Sequence, residues 1–130
     1  MRQAFSSGSD FEAKWGYSRA VRVGDRLWMS GTIGYDYATM EIAPDVAGQA
    51  RQCLENLRPA LAAMGVDLSA ITAMEVYVTD PDHAEAALAA VAGAVGAAAV
   101  SCLVVRFPYG PHVLVELRPF AILPAEGAQP

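Results

Sequence analysis

Two side chains of opposite charge, Glu116 and Arg118, stand out on an otherwise apolar segment near the end of the chain. The segment 112–118 is rich in β-branched residues and is expected to form a strand. Alternation along a strand places both charges on one face. The other face is apolar and consists of Val113, Val115 and Leu117. Because a charge on such a strand is seldom without a partner or a task, Glu116 is the first candidate for chemistry.

The other residue types that could act as nucleophiles, acids or metal ligands form weaker patterns. Cys102 has no adjacent base, and a buried thiol without one is not a nucleophile. His112 follows a loop and is a weak acid–base candidate, while His83 is expected on the surface of a helix. Cys53 and Cys102 are expected to be buried thiols and not a disulfide. We expect no metal, since the sequence lacks a ligand cluster, and it also lacks a glycine-rich phosphate loop and a nucleophile elbow.

Composition narrows the classes of partner. The chain has 130 residues, is 54% apolar and carries a formal net charge of −5 with Lys14 as its single lysine. Nucleic acid is therefore a poor partner on electrostatic grounds. No apolar run approaches the roughly 20 residues that span a bilayer, so we expect no membrane association. The first seven residues lack an apolar signal core, from which we expect a cytoplasmic protein.

The periodicity predicts one domain over 1–130, with an ordered core at about 15–124 and flexible ends. The predicted strands are 18–23, 26–30, 71–79, 100–107 and 112–118, and the predicted helices are 45–64 and 83–95. Residues 1–14 read as a loosely held lead-in, and 125–130 as a frayed tail. The strands at 100–107 and 112–118 are separated by Pro108–Pro111, a cluster of turn formers, and are expected to pair antiparallel. Pro59 is expected to kink the first helix.

This order predicts an α+β fold in which one mixed sheet carries two helices on one face. The helix-covered face would contain Leu27, Met29, Val76, Val78, Val113 and Val115. The opposite face would contain Trp28, Ser30, Glu75, Tyr77, Cys102, Glu116 and Arg118. A mixture of aromatic and charged residues suits a subunit interface lined by ligand pockets, so we expect a symmetric homo-oligomer. Trp28 and Tyr77 would then pack at the interface or stack on a ligand.

Five stretches resemble the RidA/YjgF family of reactive-intermediate imine deaminases. They are YSRAVRVGD (17–25), MSGTIG (29–34), QARQCLENL (49–57), VYVTD (76–80) and VLVE (113–116). The resemblance covers nearly the whole chain in order. It implies a chorismate-mutase-like homotrimer, with three clefts between subunits that bind a small molecule without a cofactor. It also implies that Glu116 positions the attacking water, and that Tyr17 and the Ser30-Gly31 pair contact the substrate.

One position departs from the family pattern. Deaminating members carry an arginine immediately before a Ser/Thr-Cys pair, and its guanidinium clamps the carboxylate of a 2-imino acid. Here Val100 precedes Ser101-Cys102. Such a clamp comprises two charge-assisted hydrogen bonds of about 1.5–3 kcal/mol each, so its loss should weaken binding by roughly two orders of magnitude or more. Arg118 and Arg106 are the candidates to replace it, although Arg118 is two residues, or about 6–7 Å, along the strand from Glu116.

Two functions follow from this departure. The first is an enzyme that acts on an imine, an enamine or a related carbonyl-derived bond, with Glu116 as base and a substrate other than a free 2-imino acid. The second is a non-catalytic trimer that holds a metabolite or a partner in its clefts. In the second case Glu116 would form an ion pair with Arg118 or with a neighbouring subunit.

Overall fold

The computed structural model describes residues 1–124, and the predicted frayed tail at 125–130 lies outside the described residues. The strands are β1 (Arg2–Phe5), β2 (Ala20–Val23), β3 (Arg26–Met29), β4 (Thr32–Ile33), β5 (Tyr35–Asp36), β6 (Glu41–Ile42), β7 (Ile71–Val78), β8 (Ala99–Val104) and β9 (Val115–Ile122). The α-helices are α1 (Asp10–Trp15), α2 (Val46–Ala63) and α3 (Ala84–Val95).

The main sheet has the strand order β1-β2-β3-β9-β7-β8, and β4 also pairs with β9. All its pairs are antiparallel except β7 with β8. The predicted hairpin between β2 and β3 is present, and Gly24 adopts φ of 61° at its turn, where a residue without Cβ is favoured. β5 and β6 form a separate two-stranded ribbon.

Helices α2 and α3 cover one face of the sheet, and the predicted α+β architecture is confirmed. The Asp45 side chain accepts a hydrogen bond from the Gly48 amide and begins α2, which continues through Pro59 to Ala63. The apolar stripe of α2 packs on alternate residues of the strands. The six residues predicted for the helix-covered face are all buried, namely Leu27, Met29, Val76, Val78, Val113 and Val115.

The predicted antiparallel pair of strands 100–107 and 112–118 is wrong. β8 lies at the edge of the sheet, parallel to β7, because α3 carries the chain over the sheet and returns it in the same direction. β9 lies between β3 and β7 and extends further than predicted, to Ile122. The segment between β8 and β9 is therefore a crossing loop and not a hairpin turn.

The register also corrects the predicted face of Cys102. This residue lies opposite Val76, which is fully buried under the helices, and it packs against the core. Ser101 and Leu103 lie opposite Glu75 and Tyr77 and share the open face instead. Within the described residues, both cysteines are free thiols; Cys53 is buried as predicted, whereas Cys102 is only partly buried.

Residues 1–14, predicted as a loosely held lead-in, form β1 and α1. β1 extends the sheet beside β2. The Ser9 hydroxyl accepts a hydrogen bond from the Glu12 amide, while the Glu12 carboxylate accepts hydrogen bonds from the hydroxyls of Ser6, Ser7 and Ser9. Gly16 ends α1 in the left-handed conformation, with φ of 71°. These reciprocal contacts between Ser9 and Glu12 cap the first turn of the short helix.

Candidate active site

An irregularity in strand pairing creates the candidate site. On the β9 edge, Trp28 of β3 pairs with Phe120 and Thr32 of β4 pairs with Leu117. Three residues, 29–31, therefore oppose two, 118–119, in the manner of a β-bulge. Pro119 has no amide hydrogen to donate at this point. Residues 30 and 31 of this bulge and Glu116 of β9 line one cavity.

This cavity has a volume of about 1040 Å³. Five of the eight predicted site residues line it, namely Tyr17, Ser30, Gly31, Glu116 and Arg118. The other three predicted site residues lie on the edge strand β8 and do not line this cavity; they are Val100, Ser101 and Cys102. The structure thus brings the predicted residues together in two groups.

Glu116 has an environment suited to a base. The Tyr109 hydroxyl donates a hydrogen bond of 2.8 Å to Glu116 Oε2. Burial raises the pKa of Glu116, although the Tyr109 hydrogen bond and the charges of Arg19 and Arg118 oppose the rise. Burial and the neighbouring Glu116 carboxylate also raise the pKa of Tyr109. The pair is therefore a carboxylate base with a neutral hydroxyl donor beside it.

Gly31 provides the space that the Glu116 carboxyl group occupies. A Cβ at residue 31 would lie 2.7 Å from both Cδ and Oε2 of Glu116. Carbon atoms in van der Waals contact are about 3.5–4.0 Å apart, so any side chain here would displace the carboxylate. The Ser-Gly sequence in the family-like motif thus has a steric reason.

The backbone of residues 30–32 is fixed by two polar side chains. Arg19 Nη1 donates to the Gly31 carbonyl at 3.1 Å and to Thr32 Oγ1 at 2.7 Å. The Ser30 hydroxyl donates to the Ser18 carbonyl at 2.7 Å. Ser30 therefore supports the cavity wall with the hydroxyl that was predicted to contact substrate.

Sequence reasoning missed Arg19 and Tyr109 as cavity residues. Arg19 immediately precedes β2, and its Nε lies 3.9 Å from Glu12 Oε2. Its position within the YSRAV motif, next to Tyr17, was a usable signal. Tyr109 lies among turn formers in the crossing loop, and nothing in its local sequence indicates that the loop returns to Glu116.

Arg118 does not form the ion pair with Glu116 that the sequence left open. Its Nη1 lies 3.8 Å from Glu75 Oε2, and its guanidinium lies 5.0 Å from the centroid of the Phe120 ring. Tyr77 also donates a hydrogen bond to the Glu75 carboxylate. These contacts hold Arg118 on the open face and leave Glu116 paired with Tyr109.

The residue that replaces the expected arginine lies on the outermost strand of the sheet. Val100 is opposite Met74 in the parallel ladder and is 41% exposed. Along the same strand, Leu103 and Val104 are 47% and 54% exposed. An apolar edge strand of this kind usually contacts another chain or is protected in some other way.

Residues 1–124 contain neither a metal-binding cluster nor a membrane-spanning helix. Their His, Cys, Asp and Glu side chains contain no group of three or more that could hold a metal ion. None of their helices combines the length and the apolar composition needed to cross a bilayer.

A family model described as endoribonuclease L-PSP matches residues 7–123. A solved structure described as a member of the YjgF/YER057c/UK114 family, from Mycobacterium tuberculosis, has a TM-score of 0.83 and 33% identity, covering 95% of this chain and 100% of its own. The chain belongs to the RidA/YjgF family. A RidA from an Antarctic Psychrobacter superposes with a TM-score of 0.76 at 25% identity, covering 92% of this chain and 94% of its own.

Curated relatives carry more varied names. Protein DfrA of Myxococcus xanthus is 40% identical over 82 residues, which are 61% of this chain and 63% of that protein. A 2-iminobutanoate/2-iminopropanoate deaminase of Salmonella typhimurium is 38% identical over 64 residues, or 49% of this chain and 50% of that protein. The match thus spans about half to three-fifths of the length of these relatives.

Proposed function

We propose that this RidA/YjgF member hydrolyses an imine, or the imine formed from an enamine, with Glu116 as the base. The observation that carries the proposal is the Glu116 carboxylate, which is half-buried in a cavity of about 1040 Å³, lies against Gly31 and accepts a hydrogen bond from Tyr109. The two relatives named 2-iminobutanoate/2-iminopropanoate deaminase support the reaction class.

The reaction requires one base and one exchangeable proton. Glu116 removes a proton from water while the water oxygen forms a bond with the imine carbon, and this proton then passes to the imine nitrogen. In the resulting carbinolamine Glu116 transfers the hydroxyl proton to the nitrogen, the C–N bond breaks, and ammonia departs to leave a carbonyl product. Overall, an imine and one water give a carbonyl compound and ammonia. Because burial raises the pKa of Glu116, its carboxylate is a stronger base than an exposed glutamate.

We also propose that the active form is a homotrimer with clefts between subunits. The open face of the sheet exposes Trp28 and Leu103 at 40% and 47%, and the edge strand β8 exposes Val100. These apolar surfaces suit an interface between copies. In this arrangement the edge strand of one copy, with Val100 to Cys102, borders the cavity of the next.

Because Val100 stands in place of the carboxylate-binding arginine, we propose that the substrate is not a free 2-imino acid. Comparing the turnover of 2-iminopropanoate, generated in situ from alanine, by the native chain and by Val100→Arg tests this. We expect the variant to gain about 100-fold in kcat/KM, from two charge-assisted hydrogen bonds of about 1.5–3 kcal/mol each. Val104→Arg, on the same strand, is the matched control, and sedimentation checks that all three chains have the same oligomeric state. An inert Val100→Arg chain would show that the absent arginine does not limit this activity.

The principal test replaces the base. In Glu116→Gln the carboxylate is lost with little change in shape, so we expect imine hydrolysis to fall by at least about 100-fold while ligand binding is kept. Turnover at the native rate in Glu116→Gln would contradict the proposal.

The second candidate is a trimeric module that binds a metabolite or a partner protein without catalysis, and Val100 in place of the expected arginine is the observation that favours it. Absence of turnover in the native chain with every imine tested, together with retained ligand binding, would support this function. The endoribonuclease description of the family model is a weaker guide, since a net charge of −5 disfavours RNA.

A further inference from the structure

We propose that Phe11, Trp15, Tyr17 and Tyr37 form an aromatic subsite, called here the aromatic wall, and that the substrate is an imine or enamine bearing an aromatic ring. This inference rests on the proposed function for the reaction but concerns binding. All four rings line the same cavity as Glu116.

The rings of the aromatic wall are exposed, and two of them lie on helix α1. Phe11 and Trp15 are four residues apart on α1 and therefore lie on one face of that helix. Their exposed fractions are 48% and 67%, and those of Tyr17 and Tyr37 are 39% and 45%. Large rings grouped at one cavity and left uncovered are typical of a surface that binds an apolar partner.

The helix that carries two of these rings is held in place by its own caps. The Glu12 carboxylate at the centre of α1 is 4% exposed and accepts hydrogen bonds from three serine hydroxyls. It also lies near Arg19, whose guanidinium is 5.8 Å from the centroid of the Tyr17 ring. The wall is therefore connected to the same residues that fix the Gly31 backbone.

The size of the cavity favours a ligand larger than a simple imino acid. Cavities of about 300–1,000 Å³ bury drug-sized ligands, and this one is about 1040 Å³. A three- or four-carbon imino acid at Glu116 would leave the aromatic wall uncovered. A ring attached to the reacting carbon through a short linker would cover it.

The charged residues that line the cavity also favour a ligand that binds through an aromatic ring. Its lining contains four carboxylates (Glu12, Asp36, Glu55 and Glu116) and three cations (Lys14, Arg19 and Arg118). Arg19 already donates to Gly31 and Thr32, and Arg118 pairs with Glu75. The ammonium of Lys14 lies 5.1 Å from the centroid of the Trp15 ring, in a cation–π contact. An anionic group would thus find little uncommitted positive charge, so burial of a ring is the larger source of affinity available.

The experiment compares carbonyl products that differ only in the ring. Calorimetry measures the binding of phenylpyruvate and pyruvate to the native chain and to Glu116→Gln. We expect phenylpyruvate to bind at least about 30-fold more tightly than pyruvate. Phenylacetaldehyde, which has the ring but no carboxylate, should bind within about tenfold of phenylpyruvate, because no clamp for a carboxylate is free.

Substitutions in the aromatic wall test which of its rings bind phenylpyruvate. Trp15→Ala and Phe11→Ala should each weaken phenylpyruvate binding by about tenfold, and Trp15→Phe should restore most of the loss. Ile122→Ala removes a similarly exposed apolar side chain (48%) that does not line the cavity, and should leave binding unchanged. Sedimentation of each variant tests the competing occupant, a second copy of the chain.

Three results would overturn the aromatic wall as a ligand subsite. They are equal affinity for phenylpyruvate and pyruvate, no measurable binding of either, and dissociation of the oligomer in Trp15→Ala or Phe11→Ala. Because binding is measured without turnover, failure of the proposed reaction gives a different pattern. In that case the ring-dependent binding persists while the native chain hydrolyses no aromatic imine.

Discussion

Replacing Gly31 by alanine should disable Glu116 while leaving the fold intact. The added methyl carbon would lie 2.7 Å from Cδ and Oε2 of Glu116. Gly31 is not among the residues with positive φ, so alanine is compatible with its backbone. The three atoms nearest to the added methyl carbon, at 2.7–3.1 Å, all belong to the end of the Glu116 side chain, which can rotate away.

The size of the effect follows from this distance. Restoring a carbon–carbon contact of about 3.5 Å requires a carboxylate displacement of about 0.8 Å. A misplacement of about 1 Å in a catalytic group can cost about 100-fold. We therefore expect kcat/KM for imine hydrolysis to fall by about 30- to 100-fold, equivalent to about 2–3 kcal/mol of transition-state stabilisation. The free energy of unfolding should change by less than about 1 kcal/mol, since the core is untouched.

The assay is hydrolysis of an aromatic imine, followed by ammonia release, together with urea unfolding. Gly93→Ala is the matched control, because a methyl group there meets no atom within 4 Å. Glu116→Asp completes a double-mutant cycle: the shorter side chain should avoid the methyl group, so Gly31→Ala should cost little in that background. Native activity in Gly31→Ala with the Glu116 carboxylate unmoved in a crystal structure would refute the steric argument.

Two further predictions concern ionisation. Tyr109→Phe removes a hydrogen bond that lowers the pKa of Glu116, so activity, which requires the carboxylate, should be lost at higher pH as the solution is acidified. The acid limb of the pH–rate profile should therefore move to higher pH in Tyr109→Phe, and an unmoved limb would contradict this. Burial alone would raise the pKa of Glu12, but its serine hydrogen bonds outweigh burial and lower that pKa. The ionised Glu12 therefore stabilises the folded state above its unfolded pKa of about 4.3, and this contribution is lost as the pH falls through the lower folded value. Glu12→Gln should therefore cost about 1–3 kcal/mol in urea unfolding at pH 7 and less at pH 3, whereas an equal cost at both pH values would argue against this ionic role.

Much of the fold follows from local patterns. Strict alternation in β7 and β9 places Val76 and Val115 in the core, and the Asp45 cap with its apolar stripe defines α2. The pairing of β8 does not follow from such patterns. Adjacent strands separated by turn formers favour a hairpin, but the crossover through α3 makes β8 parallel to β7 and reverses the expected face of Cys102.

The site shows the same division between local and long-range information. Glu116 and Gly31 were found from strand alternation and family resemblance, and the structure brings them into contact. Tyr109 was missed because its contact with Glu116 depends on the path of the crossing loop. Helix α1 could have been predicted from the sequence, since Ser9 and Glu12 form a capping box and Gly16 follows at its end.

The pH dependence of kcat/KM for an aromatic imine, measured in the native chain and in Glu116→Gln, tests the role of Glu116 most directly. We predict that native activity falls on acidification at a pH above the ordinary pKa of glutamate, about 4.3, because burial raises the pKa of Glu116. Above that acid limb the Glu116→Gln chain should be at least about 100-fold slower than the native chain, while still binding phenylpyruvate. Equal rates in the two chains, with the same acid limb, would contradict the assignment of Glu116 as the base.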